Sequence, residues 1–264
     1  MNLLPVHWRR NGLPARMDIA DRYLAHLRWN LMNIPAPHIV REYSPAGQAE
    51  IRKVLTGNAR MQAAITMIGE VRLEQLETAV RNILRQKVPG DFLEAGAWRG
   101  GACIYLRALL DVHGCRDRIV YGCDAFDDGF PKPDPRFPID DQSTLHTREY
   151  FKTSNVVVRN YFKYYGYDDD QVRFVCGYFQ DTLPKVPADQ IALLRLDGDL
   201  YSSTWDSLEA LYDRVPVGGY VIADDYYAIV NSQRAIDDFR TSRRITEPIH
   251  QVDWASVYWI KERE

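Results

Sequence analysis

The sequence predicts an α/β fold: a doubly wound, Rossmann-like sheet, mostly parallel, with a C-terminal antiparallel hairpin and an N-terminal helical arm. Three observations predict it. From Pro89 onward, short apolar runs alternate with helical stretches, the pattern of a parallel sheet covered on both faces. The runs are continuously apolar, as in Ile191-Ala192-Leu193-Leu194, which is how strands buried on both sides read. Two final strand-like runs, 249–252 and 256–260, are separated only by Asp253-Trp254-Ala255. That gap is too short for a crossover helix, so this pair is antiparallel.

The elements follow in order. Residues 1–45 carry Pro5, Pro14, Pro35, Pro37 and Pro45 around one helical stretch near 17–31, and read as an arm or cap. Ser44-Pro45 supplies an N-cap and first helical position for a helix to about Leu55. A further helix covers about 71–86, with Val71, Leu76, Val80, Ile83 and Leu84 apolar. Strands are expected at 91–95, 118–123, 172–176, 191–196 and 220–223, with helices at about 99–113, 147–165, 201–214 and 231–243. The domain division is an arm over 1–60 and a catalytic domain over 61–264, with a lid at about 125–147.

Composition narrows the function. A chain of 264 residues, 46% hydrophobic, can bury a large core without a metal or disulfide staple. The net charge of -3 argues against a broad basic surface for nucleic acid or anionic lipid. Cys103, Cys115, Cys123 and Cys176 form no CxxC pair. The charged N-terminus lacks an apolar signal region, and no apolar run approaches the roughly 18 residues of a membrane span. The expectation is a cytoplasmic protein with no nucleic-acid or membrane partner.

The first strand leads into Glu94-Ala95-Gly96-Ala97-Trp98-Arg99-Gly100-Gly101 and then a helix. Glycines here allow a tight turn and close approach of a ligand at the sheet's carboxyl edge. The spacing is not the dinucleotide pattern, and an acid at the strand end repels pyrophosphate but attracts a cation. S-adenosylmethionine is cationic at sulfur and nitrogen and carries no phosphate. Asp124 ends the second strand, where a carboxylate can accept ribose hydroxyls. Gly177-Tyr178-Phe179-Gln180-Asp181 follows the third, beside the expected adenine.

Asp197-Gly198-Asp199 ends the fourth strand and Asp224-Asp225 the fifth. Ends of neighbouring strands lie about 5 Å apart. Like charges so close need a counter-charge, and oxygen-only ligands favour Mg²⁺. A divalent ion lowers the pKa of a bound hydroxyl, which can then attack a sulfonium methyl.

Six stretches in order resemble the macrocin O-methyltransferase family. They are Thr66-Met67-Ile68-Gly69, residues 94–101, Phe179-Gln180-Asp181-Thr182-Leu183-Pro184, residues 194–201, residues 218–226 and Val257-Tyr258-Trp259. The resemblance spans about 60–260 and implies a methyltransferase sheet using S-adenosylmethionine and Mg²⁺ to methylate deoxysugar hydroxyls of macrolide and aminocoumarin antibiotics. It implies metal ligation by Asp197, Asp224 and Asp225, and cofactor contacts from Met67, the glycine loop (Glu94, Ala95, Gly96, Arg99, Gly100, Gly101), Asp124 and Asp181. Phe126, Gln180 and Asp197 complete the expected cofactor set.

The 125–147 connection carries four prolines and is long enough to act as a lid. His146, at its end, is the preferred general base, supported by a lid histidine implied by the resemblance; Asp199 competes. Phe126, Phe130, Phe137, Tyr201 and Tyr226 are expected around an acidic mouth that includes Asp127, Asp128, Asp134, Asp140 and Asp141. Trp8, Trp29 and Leu31 would give the arm an apolar surface for a partner copy, hence a homodimer or higher homo-oligomer. The expected acceptor is a small-molecule glycoside. Competing readings are a catechol or phenol methyltransferase, a glycosyltransferase using Asp197-Gly198-Asp199 as a D-x-D site, and a non-catalytic cofactor-binding protein.

Overall fold

Five apolar runs form parallel strands: β1 (Asp91–Ala95), β2 (Val120–Asp124), β3 (Val172–Cys176), β4 (Ile191–Leu196) and β5 (Tyr220–Ala223). The structure, a computed structural model, describes residues 18–34, 45–59 and 63–263. Trp8 and the prolines before Pro45 lie outside those residues. The strands order as β3-β2-β1-β4-β5, followed by β7 (Val257–Ile260) and the edge strand β6 (His250–Gln251). β7 runs antiparallel to both β5 and β6, as the short 253–255 gap requires. The order reverses between β1 and β4, and ligands of open α/β sheets bind outside the carboxyl ends at such a switch.

Helices cover both faces. α1 (Ile19–Leu31), α2 (Pro45–Leu55), α3 (Glu70–Gln86), α4 (Gly101–Val112) and α5 (Asn155–Tyr165) contribute to one core. α7 (Tyr201–Leu211) and α8 (Val230–Ser242) lie on the other face, over Leu194, Val221 and Trp259; the short α6 (Phe179–Thr182) follows β3.

Three expectations change. Trp29 and Leu31 are 4% and 0% exposed, so they offer no surface to a partner. α1 packs on α3 and α4, and the Arg28 guanidinium donates to Glu77 (2.6 Å) and the Tyr105 hydroxyl (2.7 Å). The helix expected from 147 starts at Asn155. Before it the chain makes tight turns at Leu145–Thr147 and Glu149–Phe151, which bring Tyr150 against Trp98 and Phe151 against Phe130. The second strand starts at Val120 rather than 118, because Arg118 turns aside to donate to the carbonyls of Val88 (2.6 Å) and Gly90. No helix among the described residues is long and apolar enough to cross a membrane.

Candidate active site

The turn after β1 brings two strand ends into contact. Gly96 has φ +107, and a Cβ there would lie 1.8 Å from the Asp197 carbonyl oxygen. Only glycine lets the β1 and β4 termini approach so closely. Above them opens a cleft holding about 610 Å³ of empty space, part of it open to solvent. Met67, Gly96, Trp98, Asp124, Asp197 and Asp199 line it, together with Phe130 and Phe151 from the lid and Tyr178 and Phe179 after β3. A smaller recess of about 240 Å³ shares Met67, Gly96, Trp98 and Asp197, and adds Glu94, Gly101 and Arg195.

A charged network underlies the recess. Glu94 and Arg195 are register partners on β1 and β4, and Arg195 is 1% exposed. Its guanidinium donates to Glu94, to Asp197 Oδ2 (2.8 Å) and to Asp224 Oδ1 (2.5 Å). Arg72, from α3, donates to Asp224 Oδ2 (2.5 Å) and Asp253 Oδ2 (2.8 Å). Burial opposes ionisation of Asp224, but Arg195 and Arg72 hold its carboxyl below the usual range. Glu94 lacks that double support, and burial pushes it up to about 7.

Asp197, Asp224 and Asp225 each bring a carboxylate oxygen within 4.8 Å of the others. The buried Oδ2 of Asp225 has no hydrogen-bond partner among the described residues. Asp199 touches Asp225; burial first, then the neighbouring carboxylates, raise both carboxyls, Asp199 to about 7 and Asp225 well above the normal range. Among the described residues, the guanidinium groups of Arg72 and Arg195 ion-pair with Glu94, Asp197, Asp224 and Asp253, while Asp199 and Asp225 add two more acids to the cluster. An unpartnered oxygen inside an all-oxygen, acid-rich set fits a hard divalent cation such as Mg²⁺.

The other expected residues are placed as follows. Asp124 faces the cavity while its carboxylate accepts from the Trp98 (2.7 Å) and Phe126 (2.8 Å) amides, fixing the glycine turn; each oxygen keeps a second lone pair. Ala95 is buried in β1. Arg99 turns away, donating to the Ala64 carbonyl (2.8 Å) with its guanidinium over Trp98. Gly100 packs toward Phe162 and Val158.

Phe126 is not at the mouth: at φ +51 its ring drops into the core against Phe174. Gln180 and Asp181 are exposed and outside the cavity lining; Gln180 accepts from Arg136 (3.3 Å). His146 does not line the cavity, whereas Asp199 does. The expected acidic mouth shrinks as well. Asp134 pairs with Arg136 (2.7 Å), and Asp140, though part of the lid, is fully buried. Phe137 packs on Tyr201, and the Tyr226 hydroxyl donates to Asp237 (2.8 Å).

Arg72, Arg195 and Phe151 were missed as site residues. Arg195 had a signal: a lone charge inside an apolar strand, with Glu94 at the matching place in β1. The Arg72 signal was weaker, a basic residue beside the apolar stripe of α3.

A switch-point cavity after a glycine turn, with acids at the strand ends and an antiparallel β7 beside β5, defines the Rossmann-like methyltransferase class. The chain belongs to the macrocin O-methyltransferase family, whose model (Macrocin-O-methyltransferase, TylF) matches residues 19–261. It is 44% identical over 252 residues to the mycinamicin III 3''-O-methyltransferase of Micromonospora griseorubida, covering 94% of this chain and 96% of the relative. It is 39% identical over 247 residues to the 8-demethyl-8-(2,3-dimethoxy-alpha-L-rhamnosyl)-tetracenomycin-C 4'-O-methyltransferase of Streptomyces olivaceus, covering 92% and 93%. Among solved structures, the O-methyltransferase NovP superposes with a TM-score of 0.84 at 39% identity, over 92% of this chain and 100% of that one. The protein is thus an S-adenosylmethionine-dependent O-methyltransferase, and Asp197-Gly198-Asp199 is not the nucleotide-sugar motif of a glycosyltransferase.

Proposed function

We propose that this enzyme methylates a sugar hydroxyl of a glycosylated natural product of the antibiotic type, and that it does so with Mg²⁺. The relatives named for a mycinamicin and for a rhamnosyl tetracenomycin support the acceptor class. The observation that carries the metal reading is the acid-rich cluster, with its unpartnered Asp225 oxygen, beside the cavity. Asp197, Asp224 and Asp225 would hold the ion. When bound, Mg²⁺ lowers the pKa of a coordinated hydroxyl and S-adenosylmethionine supplies the methyl group.

The chain's own residues do the rest. The recess beside Glu94, Asp197 and Arg195 offers both charge signs to the amino-acid end of the cofactor. Trp98, Tyr178 and Phe179 give the larger cavity apolar walls for its adenosine, and Asp124 accepts from the ribose. Asp199, in the cavity wall, is placed to take the acceptor's hydroxyl proton, and it replaces His146 as the preferred base. Phe130 and Phe151 shield the reacting groups from water.

Methyl transfer to a panel of deoxysugar glycosides and to catechols, before and after chelation, tests the reading. Turnover on the glycosides, lost on chelation and restored by Mg²⁺, is expected. Turnover on catechols alone, or turnover indifferent to chelation, would overturn the acceptor or the metal assignment respectively.

A further inference from the structure

The aspartate cluster is split between two loops. Asp197 and Asp199 precede α7, and Asp224 and Asp225 precede α8. Neither helix caps its own N-terminus with a side chain: the cap positions are Leu200 and Ile229. For α7 the missing acceptor comes from the lid. Asp140, 0% exposed, accepts from the Tyr201 amide through Oδ1 (3.0 Å) and the Ser202 amide through Oδ2 (2.9 Å). The same Oδ1 accepts from Asn231 Nδ2 in the first turn of α8 (2.8 Å), and Asn231 also donates to the Ile139 carbonyl (3.1 Å). One carboxylate therefore touches the lid, the helix after Asp199 and the helix after Asp225.

The chemistry suits a fixed anion. Two converging amides and a helix N-terminus stabilise a carboxylate, and a buried one is costly to leave unpaired. The lid that carries Asp140 also walls the cavity, through Gly129, Phe130, Pro131 and Phe151. Asp225 is bound to the start of α8 by backbone, its carbonyl accepting from Ala228 (3.1 Å) and Ile229 (2.9 Å). A shift of α8 therefore carries Asp225 with it.

We propose that Asp140 is a positioning residue that makes seating of the lid and alignment of the two acidic loops a single event. It touches no reacting atom and acts by fixing the separation of Asp199 from Asp225. Only its consequence for the metal rests on the Mg²⁺ reading above.

Hydrogen exchange and Mn²⁺ calorimetry on the full chain test the coupling, using Asp140→Ala, Asn231→Ala and Arg136→Ala. Arg136→Ala removes the lid's exposed contacts with Asp134, Gln180 and Asp206 on α7, none of which lies on α8, and serves as the control. In Asp140→Ala, exchange is expected to quicken about tenfold or more together at 126–151, 197–204 and 224–232. Asn231→Ala, which keeps the α7 cap, is expected to quicken 224–232 while 200–204 stays protected. It carries the test should Asp140→Ala fail to fold. The control leaves 224–232 unchanged. Mn²⁺ affinity is expected to fall about tenfold in Asp140→Ala, the scale seen when a ligand's supporting partner is removed.

Exchange at 224–232 within twofold of the parent in Asn231→Ala and in any folded Asp140→Ala would reduce Asp140 to a local helix cap and overturn the proposal. A parent enzyme that binds no Mn²⁺ would instead overturn the metal reading, with the exchange pattern still deciding the coupling.

Discussion

Replacing Gly96 by alanine puts a methyl group where the structure has a carbonyl oxygen. The built Cβ falls 1.8 Å from the Asp197 oxygen and 2.6 Å from its carbon, and contacts under 3.0 Å are essentially never seen. The β1 and β4 ends must therefore part by at least about 1 Å, and Asp197 moves with its carbonyl. The backbone adds a second cost, because φ +107 is foreign to a residue with a side chain. Strain of about 1–3 kcal/mol and overpacking of a similar size give roughly 2–6 kcal/mol in all. At about 2–4 °C per kcal/mol for a large domain, the melting temperature should drop by roughly 5–20 °C. A displacement near 1 Å in a catalytic cluster also costs about a hundredfold in turnover.

Gly114→Ala is the internal control. That residue also has positive φ (+64), but nothing lies within 4 Å of its Cβ. It should lose only about 1 kcal/mol. The assays are thermal unfolding, calorimetry with S-adenosylhomocysteine and methyl transfer. A Gly96→Ala protein that melts with the Gly114→Ala control and binds the product as tightly as the parent would refute the close approach of β1 to β4.

Other substitutions test the network and the base. Arg195→Met strands Glu94 and Asp197 and leaves Asp224 to Arg72, and should cost about 3–5 kcal/mol in urea unfolding at pH 8. Protonation of the stranded carboxyls should shrink that cost at pH 5; a pH-independent loss would count against the network. Glu70, buried beside Arg28 and accepting from Trp29 Nε1 (3.1 Å), is pushed up to about 7, chiefly by burial. Because the folded value lies above the unfolded one, its stabilisation is complete below pH 4.5 and is lost as pH rises through 7. Glu70→Gln should therefore gain roughly 3 kcal/mol on the parent between pH 4.5 and 8, and parallel stability curves would contradict this. Asp199→Asn should lower kcat by at least about a hundredfold with far-UV dichroism unchanged, while His146→Ala keeps most turnover; the reverse order would restore the lid histidine as base.

Much of the fold was legible because buried parallel strands announce themselves as unbroken apolar runs and the final hairpin by its short gap. The aspartates were legible because each sits directly at the end of such a run. What escaped depends on direction or on distance. Phe126 comes two residues after Asp124, yet its positive φ turns the ring into the core rather than the cavity. Asp140 looked like one more acid of a polar loop, and its partners Tyr201 and Ser202 lie 61 and 62 residues away. The lid's tight turns before Asn155 were hidden because Tyr150 and Phe151 fit a helical stripe as readily as a cavity wall. Arg195 was quoted inside a motif, but its role required knowing that β1 and β4 are neighbours in register.

The Arg72–Asp253 contact joins residues 181 positions apart. Asp253 lies between β6 and β7, and β7 completes the sheet against β5, the strand that ends beside Asp224. Arg72 meets Asp224, and finally Asp253, only after the whole sheet between them has been made. Contacts of such long sequence separation form late and slowly. The charge balance of the acidic cluster is therefore completed only once the β6–β7 hairpin has been made, and a chain cut short before that hairpin would carry the glycine turn and most of the acidic residues without the pairing that holds them in place.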